Sequence, residues 1–180
     1  MSIRHLAGAP ISWGVCEVPG WGAQLPAERV LAEMASLGLP ATELGPLGYL
    51  PLDPAELKAR LDEYDLHLVA GFVPLVLHES SSAEATETAA RMAGLLATSG
   101  AEVFVAAILA TSDWGVPMPL TELAWDRLAT HLAEIDGLVS RAGLKMAVHP
   151  HAGTLIETDA ASQRVSSVLQ DTSVDGQPLS

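Results

Sequence analysis

Cysteine is nearly absent from this chain. Cys16 stands alone, which excludes an internal disulfide and any paired-cysteine zinc site and agrees with a reducing cytoplasm. Basic residues are scarce: Lys and Arg number 9 against 22 Asp and Glu, a formal net charge of −13. Such a surface repels phosphate backbones and anionic membranes, so no nucleic-acid and no membrane partner is expected. A local cleft or bound metal could still hold an anionic substrate. No apolar run approaches the roughly 18–20 residues needed to cross a bilayer. The start, Met1–Gly8, has no apolar core of a secretory signal, and a cytoplasmic chain is expected. Aromatics are only 4%, while hydrophobic residues dominated by Ala and Leu reach 49%. That composition suits helices covering a sheet in one domain.

Short apolar strands alternate with amphipathic helices, at about 30–40 residues per pair, the scale of a βα unit. Strands are expected at His5–Ile11, Thr42–Leu44, Leu66–Val73, Glu102–Leu109 and Leu144–Val148. Helices are expected from Pro26 to about Leu37, from the capping sequence Asp53-Pro54-Ala55-Glu56 to about Tyr64, and from a Ser82 cap to near Gly100. Two more should span Thr121–Arg141 and Asp159–Leu169. Residues 1–169 then form one domain, and 170–180 read as an irregular tail. Loops after the strands are long and carry Trp, Pro and His, whereas loops after the helices are short and end in Gly. Function in such proteins sits at the C-terminal ends of the strands. A full (β/α)₈ barrel needs around 250 residues, so length alone favours an open doubly wound sheet. No GxGxxG follows the first strand, which leaves a dinucleotide site without support.

The richest chemistry lies in His149-Pro150-His151-Ala152-Gly153-Thr154-Leu155-Ile156-Glu157, directly after the fifth strand. Strand alternation puts His149 and His151 on one side, and Glu157 could fold back toward them. Imidazoles with a carboxylate suit Zn²⁺, Mn²⁺ or Co²⁺, which would acidify a C–H beside a carbonyl. A hydrogen-bonded strand-end histidine is the competing reading. Glu43, ending the second strand, could accept sugar hydroxyls or act as a base, or be an ion-paired acid. His78 and Glu79 could line the cleft or sit in a solvated loop. Trp13, Trp21 and Trp114 offer rings for stacking on a sugar, although packing over the sheet end is commoner. His131, His67 and Trp125 read as structural, and Cys16 has no evident base beside it.

Three segments together resemble the xylose isomerase-like TIM-barrel superfamily of sugar phosphate isomerases and epimerases, in its inosose dehydratase-like branch. They are Ala9-Pro10-Ile11-Ser12-Trp13-Gly14 with Val18-Pro19-Gly20-Trp21-Gly22; Thr42-Glu43-Leu44-Gly45-Pro46 with Gly48-Tyr49-Leu50-Pro51; and His149-Pro150-His151-Ala152-Gly153-Thr154 leading to Glu157-Thr158. The resemblance implies an α/β fold, an incomplete (β/α)₈ barrel of about five parallel βα units. It implies a divalent metal (Mn, Co, Zn or Mg) and a ketose or inosose substrate that is isomerised, epimerised or dehydrated. It assigns Glu43 and Glu157 as catalytic, Trp13 and His151 as substrate-binding, and His149 with Glu157 as metal ligands. Relatives often carry Glu-Asn-His where this chain has His149-Pro150-His151.

Relatives also continue into further strands with an Asp-Thr-Gly-His-like segment and a final Glu, none of which follows Glu157 here. The expectation is a C-terminally truncated relative. It would be a sugar or cyclitol enzyme, or a non-catalytic barrel piece that binds sugar or assembles through exposed sheet edges into a homo-oligomer. A DNA-repair nuclease shares the superfamily, but the charge of −13 and the lack of a basic loop oppose it.

Overall fold

Pro10 decides how the chain begins its sheet. A proline cannot donate to a strand ladder, and the expected strand His5–Ile11 is cut to β1, Ala7–Gly8. A 3-10 turn, Pro10–Trp13, follows and is ended by Gly14 in the left-handed region at φ 77°. The computed structural model describes residues 6–18 and 20–172, so His5 lies outside the described residues. The remaining elements are α1 (Ala27–Ser36), β2 (Ala41–Glu43), α2 (Pro54–Asp62), β3 (His67–Leu75), α3 (Ala83–Thr98), β4 (Val103–Ile108), α4 (Glu122–Arg141), β5 (Lys145–Val148) and α5 (Asp159–Thr172). α5 continues to Thr172, into the segment expected to be an irregular tail, and residues 173–180 lie outside the described residues.

The helix starts follow local hydrogen-bond chemistry. Asp53 accepts from the N–H groups of Ala55 and Glu56 at 2.9 and 3.0 Å, and Thr121 accepts from Ala124 at 3.2 Å. At α3 the expected Ser82 cap makes no such bond. The Ser81 hydroxyl accepts from Ala83 N–H instead, at 3.3 Å.

All five strands are parallel, in the order β1-β2-β3-β4-β5. Each strand lies beside the next in sequence with no reversal. A doubly wound sheet would reverse at a switch point, so the sequential order overturns the length-based expectation. It is the wall of an incomplete (β/α)₈ barrel. Among the described residues, β1 and β5 each have one unpaired edge.

The two faces of this wall differ. Phe104, Ala106 and Ile108 of β4 are fully buried in one apolar core with Leu96, Met92, Leu128, Leu132 and Ile135 of the helices. Gly71 belongs to this face, because a Cβ there would meet the Leu96 side chain at 2.7 Å. On the inner face, the register aligns Phe72, Val105 and Ala147. None of these three is fully buried. Outside, Arg164 of α5 forks onto Glu122 of α4 and lies 4.6 Å from the Trp125 ring centre, tying the last helix down. Among the described residues, no helix is long and apolar enough to cross a membrane.

Candidate functional site at the strand ends

The turn after β5 is stitched to its neighbour strand rather than left free. His149 N–H donates to Ala106 O at 2.8 Å and Leu155 N–H to Ile108 O at 2.8 Å. The buried Thr154 closes the turn on itself, its hydroxyl donating to His151 O at 2.7 Å. His149 therefore keeps strand register, two residues beyond Ala147 on the inner face. The Nδ1 of His151 faces the Ala152 carbonyl at 2.6 Å. A carbonyl only accepts, so Nδ1 carries a proton.

Both imidazoles enter an aromatic cluster. Phe72 and Trp114 stack with centroids 6.2 Å apart and planes within 9°. His149 meets Phe72 edge-on at 5.9 Å, and His151 meets Phe72 and Trp114 at 6.3 and 6.0 Å. The two imidazole centres are 5.6 Å apart. Trp114 reaches this place through a left-handed backbone at φ 62°, which a bulky residue adopts only when the surroundings impose it. The turn imposes it: the Thr111 hydroxyl donates to Asp113 at 2.6 Å and accepts from Gly115 N–H at 2.8 Å. Phe72 was not legible as a site residue, since β3 is apolar on both faces. Only pairing with Val105 shows which way it faces.

Two carboxylates complete the set. Glu43 ends β2 at a register shift that pairs it with Ala70. It is half-buried, and burial raises its pKa, with attraction from His149 partly offsetting the rise. Glu17, in the loop after β1, was not singled out from the sequence. Burial raises its pKa too; its own backbone N–H and His151 pull it down, and repulsion from Glu43 pushes it up. Glu43 ends β2, His149 and His151 follow β5 and Glu17 lies in the loop after β1, so all four stand on the side of the sheet where the strands end. Among the described residues neither acid is ion-paired with Lys or Arg, so the ion-paired reading of Glu43 fails.

Other expected residues sit differently. Trp13 packs on the core and its indole N–H donates to Glu33 of α1 at 2.8 Å. It is placed as a brace for the first loop, and Trp114 is the tryptophan in the cluster. Glu157 is exposed and accepts from Gly153 N–H at 3.2 Å, engaged within its own turn. Among the described residues, no three His, Cys, Asp or Glu side chains converge to hold a metal ion. His149 and Glu157 thus do not by themselves fit a divalent cation. Glu79 lines a 550 Å³ cavity with Ser81, Thr88 and Thr111, separate from the four coupled groups. His78 Nδ1 is buried without a hydrogen-bond partner. His131, as its structural reading required, donates from Nδ1 to Leu77 O at 2.8 Å.

No protein-family profile matches the chain. It is 31% identical over 160 residues to an inosose dehydratase of Geobacillus kaustophilus, covering 83% of this chain and 51% of that protein. It is 32% identical over 176 residues to the rhizopine catabolism protein MocC of Rhizobium meliloti, covering 93% and 53%. The chain therefore spans about half the length of the curated relatives it matches. Among solved structures, an L-ribulose 3-epimerase superposes with a TM-score of 0.68 at 19% identity, over 94% of this chain and 57% of that one. A xylose isomerase-like TIM barrel protein from Mycobacterium smegmatis in complex with magnesium gives 0.63 at 14%, over 96% and 63%. Sequential parallel topology and these similarities agree: the chain is a homologue of the inosose dehydratases, and its fold is that of structural neighbours among the xylose isomerase-like TIM barrels.

Proposed function

We propose that this chain supplies the first five βα units of an enzyme site that acts on a ketose or inosose by proton transfer beside a carbonyl. The observation that carries the reading is the pair of imidazoles 5.6 Å apart after β5, at the same C-terminal ends of the strands as Glu43, which has no Lys or Arg partner among the described residues. A half-buried carboxylate whose pKa is raised is a better base toward carbon than a solvated one. Glu43 takes the proton from the carbon next to the carbonyl; the C–H electron pair forms the carbon–carbon double bond and the carbonyl π pair moves onto oxygen, giving an enediolate. The His151 imidazole hydrogen-bonds a substrate hydroxyl, and the Phe72–Trp114 stack faces the apolar side of the ring. A proton delivered to the opposite face of the same carbon gives an epimer, and one delivered to the former carbonyl carbon, with the hydroxyl proton of the neighbouring carbon released, gives an isomer. Expelling the adjacent hydroxyl, protonated by an acid such as Glu157, gives water and the dehydrated ketone.

A divalent metal, when bound, would polarise the carbonyl. His149 and Glu157 are the ligands proposed here, and they need further donors, so no step above runs through the ion. Sugar or cyclitol as partner, and the cytoplasm as location, belong to the same reading. A second reading is a non-catalytic chain that binds sugar or assembles with another copy. Among the described residues β1 and β5 each have one unpaired edge, which supports it.

The test is C–H exchange of an inosose in heavy water with Mn²⁺ present, followed by proton NMR. Deuterium entry beside the carbonyl that is lost in Glu43→Gln is the expected result. Saturable binding without exchange would favour the second reading, and absence of both would overturn each.

A further inference from the structure

His151 is held on one side by its own turn and on the other by rings from different elements. Its backbone N–H donates to Ile156 O at 3.1 Å and its Nδ1 to Ala152 O at 2.6 Å, both within the turn after β5. Beyond that turn, the imidazole meets Phe72 of β3 and Trp114 of the β4–α4 connection, at centroid distances of 6.3 and 6.0 Å. His151 is exposed, so contact with these rings, rather than burial, limits how it tilts.

Trp114 is not anchored by the core. Trp13 and Trp125 pack against the main apolar cluster, whereas Trp114, among the described residues, stands outside it. Its backbone at φ 62° is a conformation that a bulky residue leaves unless it is restrained. One hydroxyl supplies the restraint. Thr111 Oγ1 donates to Asp113 Oδ1 at 2.6 Å and accepts from Gly115 N–H at 2.8 Å, so its two bonds grip the residues on either side of Trp114. Trp114 N–H itself donates to Thr111 O at 3.1 Å. A hydroxyl has one proton to give and lone pairs to accept with, and here both capacities are used. A Cβ on Gly115 would collide with Thr111 Oγ1, so this approach requires glycine there. The Thr111 hydroxyl is also the chief cause holding the Asp113 carboxyl below its usual range, which keeps it an ionised acceptor. Thr111 starts from a fixed place, since Leu109 N–H, just past β4, donates to Leu75 O at 2.8 Å.

We propose that Thr111 is a positioning residue: its hydroxyl holds Trp114 against His151 and so sets the orientation of that imidazole. Thr111 acts through Trp114 and not on the ligand. The consequence for binding rests on the sugar reading given above, in which His151 hydrogen-bonds a substrate hydroxyl. Without the Thr111 hydroxyl, Trp114 relaxes toward the ordinary backbone region and its ring leaves Phe72 and His151. Both Thr111 side-chain bonds lie at the surface, where water can replace the lost partner, so the fold persists.

The experiment compares Thr111→Val and Thr111→Ser with wild type, using the full chain labelled with 5-fluorotryptophan. Fluorine NMR reads the tryptophans and proton NMR reads the histidine rings. Val keeps the branched shape and removes the hydroxyl, whereas Ser keeps the hydroxyl. In Thr111→Val the Trp114 fluorine and His151 ring-proton signals should both move, because the imidazole leaves the ring current of Trp114. The Trp13 and Trp125 signals should stay in place. Thr111→Ser should restore the wild-type positions. Gly115→Ala, which pushes on the same hydroxyl from the other side, should reproduce the Val shifts and replaces that variant if it does not fold. Inosose affinity, measured by calorimetry, should fall about fivefold in Thr111→Val, the scale of one neutral hydrogen bond, and recover in Thr111→Ser. Unmoved Trp114 or His151 signals, or equal shifts in the Val and Ser variants, overturn the inference. So does an unchanged inosose affinity in a Thr111→Val chain whose ring signals have moved. Ring signals that follow the expected pattern while wild type binds no inosose overturn the sugar reading and leave the positioning role standing.

Discussion

The two faces of the strand wall are built on opposite terms. Toward the helices, Phe104, Ile108, Leu96, Leu128 and Leu132 leave no accessible surface and belong to one apolar cluster. At the inner upper face, polar groups are half-buried, like charges adjoin and one tryptophan has a left-handed backbone. The first arrangement supplies stability, and the second spends some of it to hold groups where a ligand can reach them. The difference teaches that substitutions of similar size should have effects of opposite sign on the two sides.

The largest contrast comes from the outer face. Phe104→Ala should destabilise by about 3–5 kcal/mol, measured by urea denaturation, because a wholly buried ring leaves a cavity among close-packed side chains. A loss below about 1 kcal/mol would mean that the helices do not pack on β4 as described.

A smaller effect, with reversed sign, is expected at Glu43. Burial holds its folded-state pKa above the ordinary 4.5, so the folded chain binds this proton more tightly than the unfolded one. Its contribution is therefore most favourable in acid and is lost as pH rises from 4.5 through the raised value. Glu43→Gln removes that loss, and its melting temperature relative to wild type should climb across that window and level off above it. Surface acids run the other way. The backbone N–H of Glu28 and then Arg60 hold the Glu28 carboxyl below the usual value, Arg164 does the same for Glu122, and their contribution is lost as pH falls. A flat difference between Glu43→Gln and wild type would show that Glu43 is solvated like these.

Legibility in the sequence divides along the same line. Strand and helix order was readable because the βα period and the capping residues at Asp53 and Thr121 are local signals. The first strand was overextended because Pro10 was read through rather than as a stop. His149, His151 and Glu43 were legible as polar residues ending apolar runs. Phe72 and Glu17 were not: the facing of Phe72 depends on register, and the place of Glu17 depends on a loop closed by Gly14, Gly22 and Gln24. A sequence signal for Glu17 did exist, in the paired glycines around it. The engagement of the Trp13 indole by Glu33, a residue 20 positions away, had no local signal.

The central claim is that Glu43 and the two imidazoles share one site at the strand ends. Nitrogen NMR of the histidine side chains in wild type and Glu43→Gln tests it directly. The account expects the His149 imidazole resonances to move most, while His67, at the opposite end of the sheet, stays where it is. Unchanged His149 signals, or a shift at His67 as large as that at His149, would contradict it.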